Sequence, residues 1–215
     1  MEDWVRWHEA YDDPDSSLAR RLVVVRRRIA EALDALGSRA QRILSLCAGD
    51  GRDLLPVLAL RPLAARPPDG RPGAVLVEND PTLAAQAQRR ARTHGLANVR
   101  VLVGDASNPG AFADALPADL LLLCGIFGNI SRPDIEATVG AVPALLAPGR
   151  HVIWTCGAAD PDLRPAIRRL FTDAGLDETS FDGHPEHFGV GAAHLPDTSP
   201  TVSSPLPDRL FTFLR

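Results

Sequence analysis

Two glycines follow the first strand-like run of the chain and are the first residues whose type and spacing suggest chemistry. The apolar run Leu44–Cys47 leads towards Gly49 and Gly51, and a helical pattern begins directly after them. Glycine at such a turn lets a ligand approach the backbone closely, and in an open α/β sheet ligands bind beyond the carboxyl ends of the strands. We therefore expect a ligand-binding loop, although a tight turn without a ligand has the same pattern. The residues of this loop are Ala48, Gly49, Asp50 and Gly51.

Acidic residues stand at the ends of the next two apolar runs. The second run ends in Glu78, and Asn79 follows it. A carboxylate in this position can accept hydrogen bonds from both hydroxyls of a ribose. The third run, Val99–Val103, is closely followed by Asp105 and Ala106. Asp105 is suited to accept from the exocyclic amine of an adenine, while the N–H of Ala106 is suited to donate to a ring nitrogen.

A fourth apolar run, Leu120–Cys124, leads into the loop Gly125–Asn129, which mixes glycine with apolar and polar residues. A loop of this kind at the end of a buried strand is suited to form the floor of a reaction site. We expect Cys124 and Gly125 to lie beside a bound ligand there.

The alternation of short apolar runs with helical patterns predicts the elements that position these loops. Continuously apolar runs are typical of strands buried on both faces of a parallel sheet, and their alternation with helices predicts right-handed βαβ units. The predicted strands are Arg42–Cys47, Ala74–Glu78, Val99–Val103, Leu120–Cys124 and His151–Cys156. The predicted helices are Arg52–Leu60, Pro81–His94, a short one near Phe112–Leu116, Pro133–Leu146 and Pro165–Ala174.

Both flanks of the chain depart from this alternation. Residues 1–40 contain a helical pattern from Ser16 to Leu36 and are predicted to form an N-terminal helical cap on a single compact domain, residues 41–215. Pro-rich and Ser-rich pieces at Arg61–Gly73 and Pro196–Pro207 indicate surface connections. The final part of the chain predicts antiparallel strands at Glu178–Asp182, Phe188–His194 and Arg209–Leu214.

Aromatic and histidine side chains recur at helical spacing near the start of the chain, on one face of a helix. Two interpretations stay open. The face either closes over a bound substrate, which makes His8 and Tyr11 candidate catalytic residues, or it packs an amphipathic helix onto the sheet. The residues of this face are Trp4, Trp7, His8 and Tyr11.

A second group of histidines includes a third catalytic candidate, His187, as a base facing the substrate. His184 and Glu186 accompany it, but the spacing differs from the HExxH pattern of zinc enzymes and a proline intervenes. We therefore predict no metal site, and an exposed hairpin is the alternative interpretation of this group.

Composition bounds the function classes. The net charge of −4 gives no basic field for nucleic acid. All 23 basic residues are arginine, which is typical of a GC-rich bacterial genome. Three cysteines without paired spacing predict small buried thiols instead of a disulfide framework. The polar start of the chain and the absence of a long apolar run predict a cytoplasmic protein that binds no membrane. We expect it to be a monomer or a homodimer.

The order of these loops resembles the class I S-adenosylmethionine-dependent methyltransferases, over about residues 42–156. The resemblance implies a three-layer Rossmann-like α/β fold with a seven-stranded, mostly parallel sheet and an antiparallel C-terminal strand. It also implies S-adenosyl-L-methionine as cofactor, S-adenosyl-L-homocysteine as product, and a small-molecule methyl acceptor. The glycine loop would hold the methionine part, Glu78 the ribose, and Asp105 with Ala106 the adenine, while Gly125 would face the methyl group.

The glycine motif departs from that of the family. Ser45 stands at the position of the family's acid and Cys47 at that of its first glycine. The cofactor's amino group then needs another acidic partner, for which Asp50 and Asp53 are the candidates. The departure also motivates an alternative, a relative that binds the cofactor or a partner without catalysis. Dinucleotide binding is disfavoured because Leu54 occupies the place of the third glycine that it requires.

Overall fold

A computed structural model describes residues 8–37, 41–61, 73–199 and 206–214 of the 215-residue chain. Seven strands form one sheet in the order β3-β2-β1-β4-β5-β7-β6. The pairs among β1 to β5 are parallel, and β7 is antiparallel to both of its neighbours. The strands are β1 Ile43–Leu46, β2 Ala74–Glu78, β3 Val99–Val103, β4 Ala118–Leu123, β5 Leu146–Gly157, β6 Asp177–Gly183 and β7 Phe188–Leu195.

Helices cover both faces of this sheet. They are α1 Ser17–Leu36, α2 Leu55–Leu60, α3 Pro81–Thr93, α4 Arg132–Leu145 and α5 Arg164–Asp173, with 3₁₀ turns at Ala10–Asp12 and Pro109–Ala115. Side chains of α1, α2 and α3 share one apolar cluster with the sheet, and those of α4 and α5 share the other. The predicted three-layer α/β fold, with an antiparallel last strand and an N-terminal helix, is confirmed.

Local sequence explains the helix starts that border the site. Ser16 caps α1 by accepting from the N–H of Ala19 at 3.0 Å. Asp80 caps α3 by accepting from the N–H groups of Thr82 and Leu83, and Pro81 begins that helix without needing a donor. Every residue of β1, β2 and β4 is buried, as expected for strands covered on both faces.

The order of strands reverses between β1 and β4, which lie side by side with Leu46 opposite Leu123. Connections leave these two strands towards opposite faces, so a crevice opens beyond their carboxyl ends. The glycine loop after β1 and the loop Gly125–Asn129 after β4 border this crevice.

The prediction of a strand at Arg209–Leu214 is wrong. The segment forms only an isolated antiparallel bridge, between Phe213 and Ile130. Its buried residues Leu210 and Phe211 pack with the α4 side of the core, so the segment docks on loops instead of adding to the sheet. Trp4 and Trp7 lie outside the described residues, as does most of the predicted connection Arg61–Gly73. Among the described helices, none is long and apolar enough to cross a membrane.

Candidate functional site

A cavity of about 540 Å³ lies at the carboxyl edge of the sheet, against the glycine loop. This volume is within the range of pockets that hold small molecules and cofactors. Ala48, Gly49 and Asp50 line it from the end of β1. Gly51 is not among the lining residues, although its conformation shapes the same loop.

The two glycines of the loop have left-handed backbones, with φ of +57° at Gly49 and +70° at Gly51. A Cβ on Gly51 would lie 2.6 Å from Leu55 Cδ1 and 2.9 Å from Leu76 Cδ2, both buried. A Cβ on Gly49 would overlap the imidazole of His8, so that ring lies directly over the loop. The loop therefore needs glycine at both positions, one for packing beneath it and one for close approach above it.

Glu78, at the end of β2, holds the glycine loop in place. Its Oε2 accepts from the N–H of Gly49 at 2.7 Å, and its Oε1 accepts from the N–H of Asp80 at 2.8 Å. The side chain is nearly buried, yet Glu78 and Asn79 both line the cavity. A carboxylate has about four acceptor sites, so two remain for hydroxyl groups of a ligand.

Asp50 also lines the cavity, but its carboxylate is held by two arginines. Its Oδ2 lies 2.8 Å from Arg52 Nη2 and 2.9 Å from Arg90 Nη1. Burial alone would raise the pKa of Asp50, and these hydrogen bonds and charges lower it below its ordinary value. Arg90 also donates to the backbone carbonyl of Asp50 at 2.7 Å. Asp50 thus fixes the loop and α3 to each other and is a poor candidate for binding a cofactor amine.

Asp53 lines the cavity beside this ion-pair group. Its Oδ1 accepts from the N–H of Leu54 at 2.7 Å. Burial raises the pKa of Asp53 above its ordinary value, and the charge of Asp50 adds to that effect. Burial of a carboxylate is costly, so a cationic group in the cavity would gain from pairing with it. Of the two acids proposed to replace the one missing at Ser45, Asp53 has the suitable surroundings.

Cys47 has a positive φ of 55°, a conformation that costs about 1–2 kcal/mol for a residue with a Cβ. A protein is ordinarily more stable with alanine than with glycine at a position within a helix or strand. At Cys47 we expect the reverse order, with Cys47→Gly about 1 kcal/mol more stable than Cys47→Ala in urea unfolding. Cys156, in the extended strand β5, supplies the control, where the alanine variant should be the more stable. A Cys47→Ala protein more stable than Cys47→Gly would contradict the strain.

The N-terminal candidates His8 and Tyr11 line the cavity together with Arg21 of α1. Arg21 Nη2 donates to the Tyr11 hydroxyl at 2.7 Å. The guanidinium of Arg52 lies 4.7 Å from the centre of the Tyr11 ring, and Arg52 also pairs with Asp12 at 3.3 Å. The segment at residues 8–12 is thereby attached to the glycine loop. Burial raises the pKa of Tyr11, so its phenol stays protonated at neutral pH.

The loops after β3 and β4 contribute Ala106, Cys124 and Gly125 to the cavity wall. Gly125 donates its N–H to Thr155 Oγ1 at 2.9 Å, and its carbonyl accepts from Asn129 Nδ2 at 2.8 Å. Burial raises the pKa of the Cys124 thiol, which therefore stays neutral and serves as an apolar surface.

Three predicted site residues lie outside the cavity wall: Gly51, as described above, Asp105 and His187. Asp105 pairs with Arg209 at 3.3 Å and accepts from the N–H of Ser107 at 2.9 Å. Burial alone would raise the pKa of Asp105, but these partners lower it. His187 lies in the turn between β6 and β7, where its ring stacks on that of His184 at 4.4 Å. Its proposed role as a base stays a prediction without a contact to the cavity.

Several lining residues were not predicted from the sequence. Arg21 and Leu22 belong to a helix recognised only by its apolar periodicity, and no local pattern marks them. Phe213 and Leu214 come from the segment predicted as a strand. Their place in the cavity depends on contacts distant in sequence, which no local signal reveals.

Solved structures with the same architecture include methyltransferases. An O-methyltransferase family protein from Burkholderia thailandensis matches with a TM-score of 0.62 and 16% identity, over 81% of this chain and 56% of that one. An O-methyltransferase family 2 protein from Planctomyces limnophilus, in complex with apigenin, matches with a TM-score of 0.61 and 20% identity. The match covers 83% of this chain and 58% of that one. This chain therefore spans little more than half the length of either protein.

A third similar structure is matched over nearly its whole length. Magnesium protoporphyrin IX methyltransferase from Synechocystis PCC 6803, with bound S-adenosylmethionine, has a TM-score of 0.60 and 16% identity, over 89% of this chain and 90% of that one. No protein-family model matches the chain, and no curated protein does. At 16–20% identity the likeness concerns architecture. The chain has the fold of the class I S-adenosylmethionine-dependent methyltransferases.

Proposed function

We propose that the protein is an S-adenosyl-L-methionine-dependent methyltransferase that methylates an oxygen, nitrogen or carbon atom of a small molecule. One observation carries the proposal. The buried carboxylate of Glu78 and the glycine loop that it holds face one cavity, with acceptor sites of that carboxylate left over. Ribose hydroxyls are the groups that such an acid at the end of a second strand suits best.

The residues present fit the remaining parts of the cofactor. Its methionine part would lie along Ala48 and Gly49, which line the cavity beneath the ring of His8. Asp53 would pair with its ammonium group, and Asn79 with Ala106 would border the adenine. The volume of about 540 Å³ is within the range of pockets that hold small molecules and cofactors.

When bound, S-adenosylmethionine supplies an electrophilic methyl group on a sulfonium, and S-adenosyl-L-homocysteine is the product. The protein's task is to align the acceptor and to exclude water. His8 lies over the glycine loop and Tyr11 lines the same cavity, so both suit that task. An aromatic face stabilises a nearby cation, as the contact of Arg52 with the Tyr11 ring shows. The protonated Tyr11 serves as a hydrogen-bonding wall. A base is needed only if the acceptor must lose a proton. For that role His8 is a better candidate than the protonated Tyr11.

The acceptor is proposed to be a small molecule because the net charge of −4 opposes binding to nucleic acid. The replacement of the family's acid by Ser45, which is buried within β1, supports a second candidate function. In that alternative the protein binds the cofactor or a partner and does not catalyse.

Calorimetry with S-adenosylmethionine, S-adenosylhomocysteine and NAD tests the proposal. We expect both sulfur compounds to bind and NAD not to bind. Binding followed by methylation in a broad panel of acceptors would establish the enzyme, and binding without turnover would favour the non-catalytic relative. Failure of both sulfur compounds to bind would refute the methyltransferase and a non-catalytic role that depends on the cofactor.

Replacement of Asp53 with asparagine should separate cofactor binding from stability. We expect S-adenosylhomocysteine to bind about tenfold or more weakly, because a buried charge-assisted hydrogen bond to its ammonium is lost. Binding to the unaltered protein should strengthen as pH rises through the pKa of Asp53, which burial places above its ordinary value, and should depend less on pH in the variant.

Stability should change in the opposite direction. The raised pKa of Asp53 means that the folded state holds this proton more tightly than the unfolded state, so stability falls as pH rises above the ordinary aspartate value. The Asp53→Asn protein has no carboxyl group to ionise at this position and so does not lose stability in this way. Its Tm at neutral pH should be no lower than that of the unaltered protein. Asp173→Asn, at the exposed end of α5, is the control. Unchanged affinity of Asp53→Asn would refute the ammonium assignment.

A further inference from the structure

The segment Leu206–Leu214 crosses the edge of the sheet where the cavity opens. The N–H of Leu210 donates to the carbonyl of Ser107 at 2.7 Å, which attaches the segment to the loop after β3. The N–H of Leu214 donates to the carbonyl of Asn129 at 2.7 Å, which attaches it to the loop after β4. Thr138 Oγ1 donates to the carbonyl of Leu210 at 2.9 Å. The segment is thus fixed on both sides of the cavity.

The exposure of its apolar residues changes along the segment. Leu210 and Phe211 are fully buried in the core. Phe213 and Leu214 are 41% and 59% exposed, and both line the cavity. Only five large apolar side chains among the described residues are exposed, and these are two of them. A ligand with an apolar surface would cover them and remove that area from water.

The two loops to which the segment is attached indicate which part of a ligand Phe213 and Leu214 would contact. Ser107 directly follows Ala106, the residue placed beside the adenine, and Asn129 ends the loop that begins at Gly125. Phe213 and Leu214 therefore belong to a segment that runs from the loop after β3 to the loop after β4, and they line the same cavity as Ala106 and Asn79.

Arg209 pairs with Asp105, the other candidate partner for an adenine. Its guanidinium lies 3.3 Å from Asp105 Oδ2 and 3.1 Å from Ser107 Oγ. Asp105 is not among the residues that line the cavity. Recognition of a purine at this end then depends on apolar contact more than on a carboxylate.

We propose that Phe213 and Leu214 form one wall of the adenine subsite and pack on the purine ring of the bound cofactor. The inference rests on the proposed function. A purine has broad apolar faces, and stacking on an aromatic side chain is its usual contact where hydrogen-bonding partners are few. The segment Leu206–Leu214 supplies that contact and is held for it by Ser107 and Asn129.

Titration with S-adenosylhomocysteine and with adenosine tests this wall. The double variant Phe213→Ala with Leu214→Ala should lose about tenfold or more in affinity for both compounds, because both carry the adenine. Phe213→Tyr keeps the ring and should stay within about threefold of the unaltered protein. Leu60→Ala, at another exposed leucine outside the cavity wall, is the matched control and should change neither affinity.

The two compounds also separate this wall from the methionine end of the cavity. Asp53→Asn should weaken binding of S-adenosylhomocysteine alone, since adenosine has no ammonium group. A double variant that binds both compounds within twofold of the unaltered protein, or that loses affinity only for S-adenosylhomocysteine, overturns the inference. If the unaltered protein binds neither sulfur compound, the proposed function fails and this inference fails with it, which is a different result.

Hydrogen exchange of the unaltered protein and thermal unfolding of the double variant provide two further checks. In the unaltered protein, amides of residues 206–214 should become more protected when S-adenosylhomocysteine binds. The double variant should keep a Tm close to that of the unaltered protein, because Leu214 is 59% exposed and Phe213 is 41% exposed, with an edge contact to Phe211 at 5.3 Å. Unchanged protection of this segment on binding would count against the wall.

Discussion

Replacement of Glu78 with alanine is expected to weaken binding of S-adenosylmethionine by about ten- to a hundredfold, the effect of losing 1.5–3 kcal/mol. The variant leaves the ribose hydroxyls of the cofactor without an acceptor. It also leaves without an acceptor the N–H groups of Gly49 and Asp80, from which the Glu78 carboxylate accepts at 2.7 and 2.8 Å. Because these N–H groups belong to the glycine loop and the cap of α3, the free energy of unfolding should fall by about 1–3 kcal/mol.

Two further variants separate the binding effect from the structural one. Glu78→Gln keeps the shape of the side chain and one acceptor oxygen, but its NH₂ group would face another donor. The loss of affinity of this variant for S-adenosylmethionine should therefore be intermediate. Glu136→Ala, at an exposed position of α4, should change neither affinity nor Tm. Calorimetry and thermal unfolding of the same preparations give both quantities. Full affinity in Glu78→Ala would eliminate the ribose assignment.

Replacement of Gly51 with alanine is expected to destabilise the fold by about 2–4 kcal/mol. A left-handed backbone, here with φ of +70°, costs about 1–2 kcal/mol once a Cβ is present. The Cβ would also lie 2.6 Å from Leu55 Cδ1 and 2.9 Å from Leu76 Cδ2, and overpacking of buried leucines adds about 1–3 kcal/mol. Urea unfolding with a constant m-value would measure the loss.

The same chemical change at Gly140 is the control and should act in the opposite direction. Gly140 lies on the exposed side of α4, and a Cβ there would meet nothing within 4 Å. Alanine should stabilise the helix by about 1 kcal/mol. If Gly51→Ala proved as stable as Gly140→Ala, the loop would tolerate a side chain and its packing as described would be wrong.

The parts of the fold predicted from sequence are those with local signals. The predicted strands Ala74–Glu78 and Val99–Val103 agree residue for residue with β2 and β3. Runs rich in β-branched residues and bounded by turn residues favour a strand, both where it is buried, as in β2, and where it is half-exposed at the edge of the sheet, as in β3. The loops of the site then follow from topology, since parallel strands present their carboxyl ends at one edge.

The rest of the site depends on residues far apart in sequence. Asp105 carries the expected acid but pairs with Arg209, which lies more than a hundred positions later. Phe213 alternates with Phe211 like a strand, yet hydrogen bonds to loops decide its place. Asp50 and Asp53 look equivalent in the motif, and only the positions of Arg52 and Arg90 distinguish them.

The place of Tyr11 has a consequence for how the site can be observed. It is the chain's one tyrosine, and it lies in the cavity against Arg21 and Arg52. Every tyrosine signal of the protein, whether ultraviolet absorption or the resonance of a fluorinated analogue, therefore originates at the site. Ionisation of that phenol, delayed to higher pH by burial, can be followed in intact protein without separating it from other tyrosines. The sequence has placed a single spectroscopic probe where a ligand would bind.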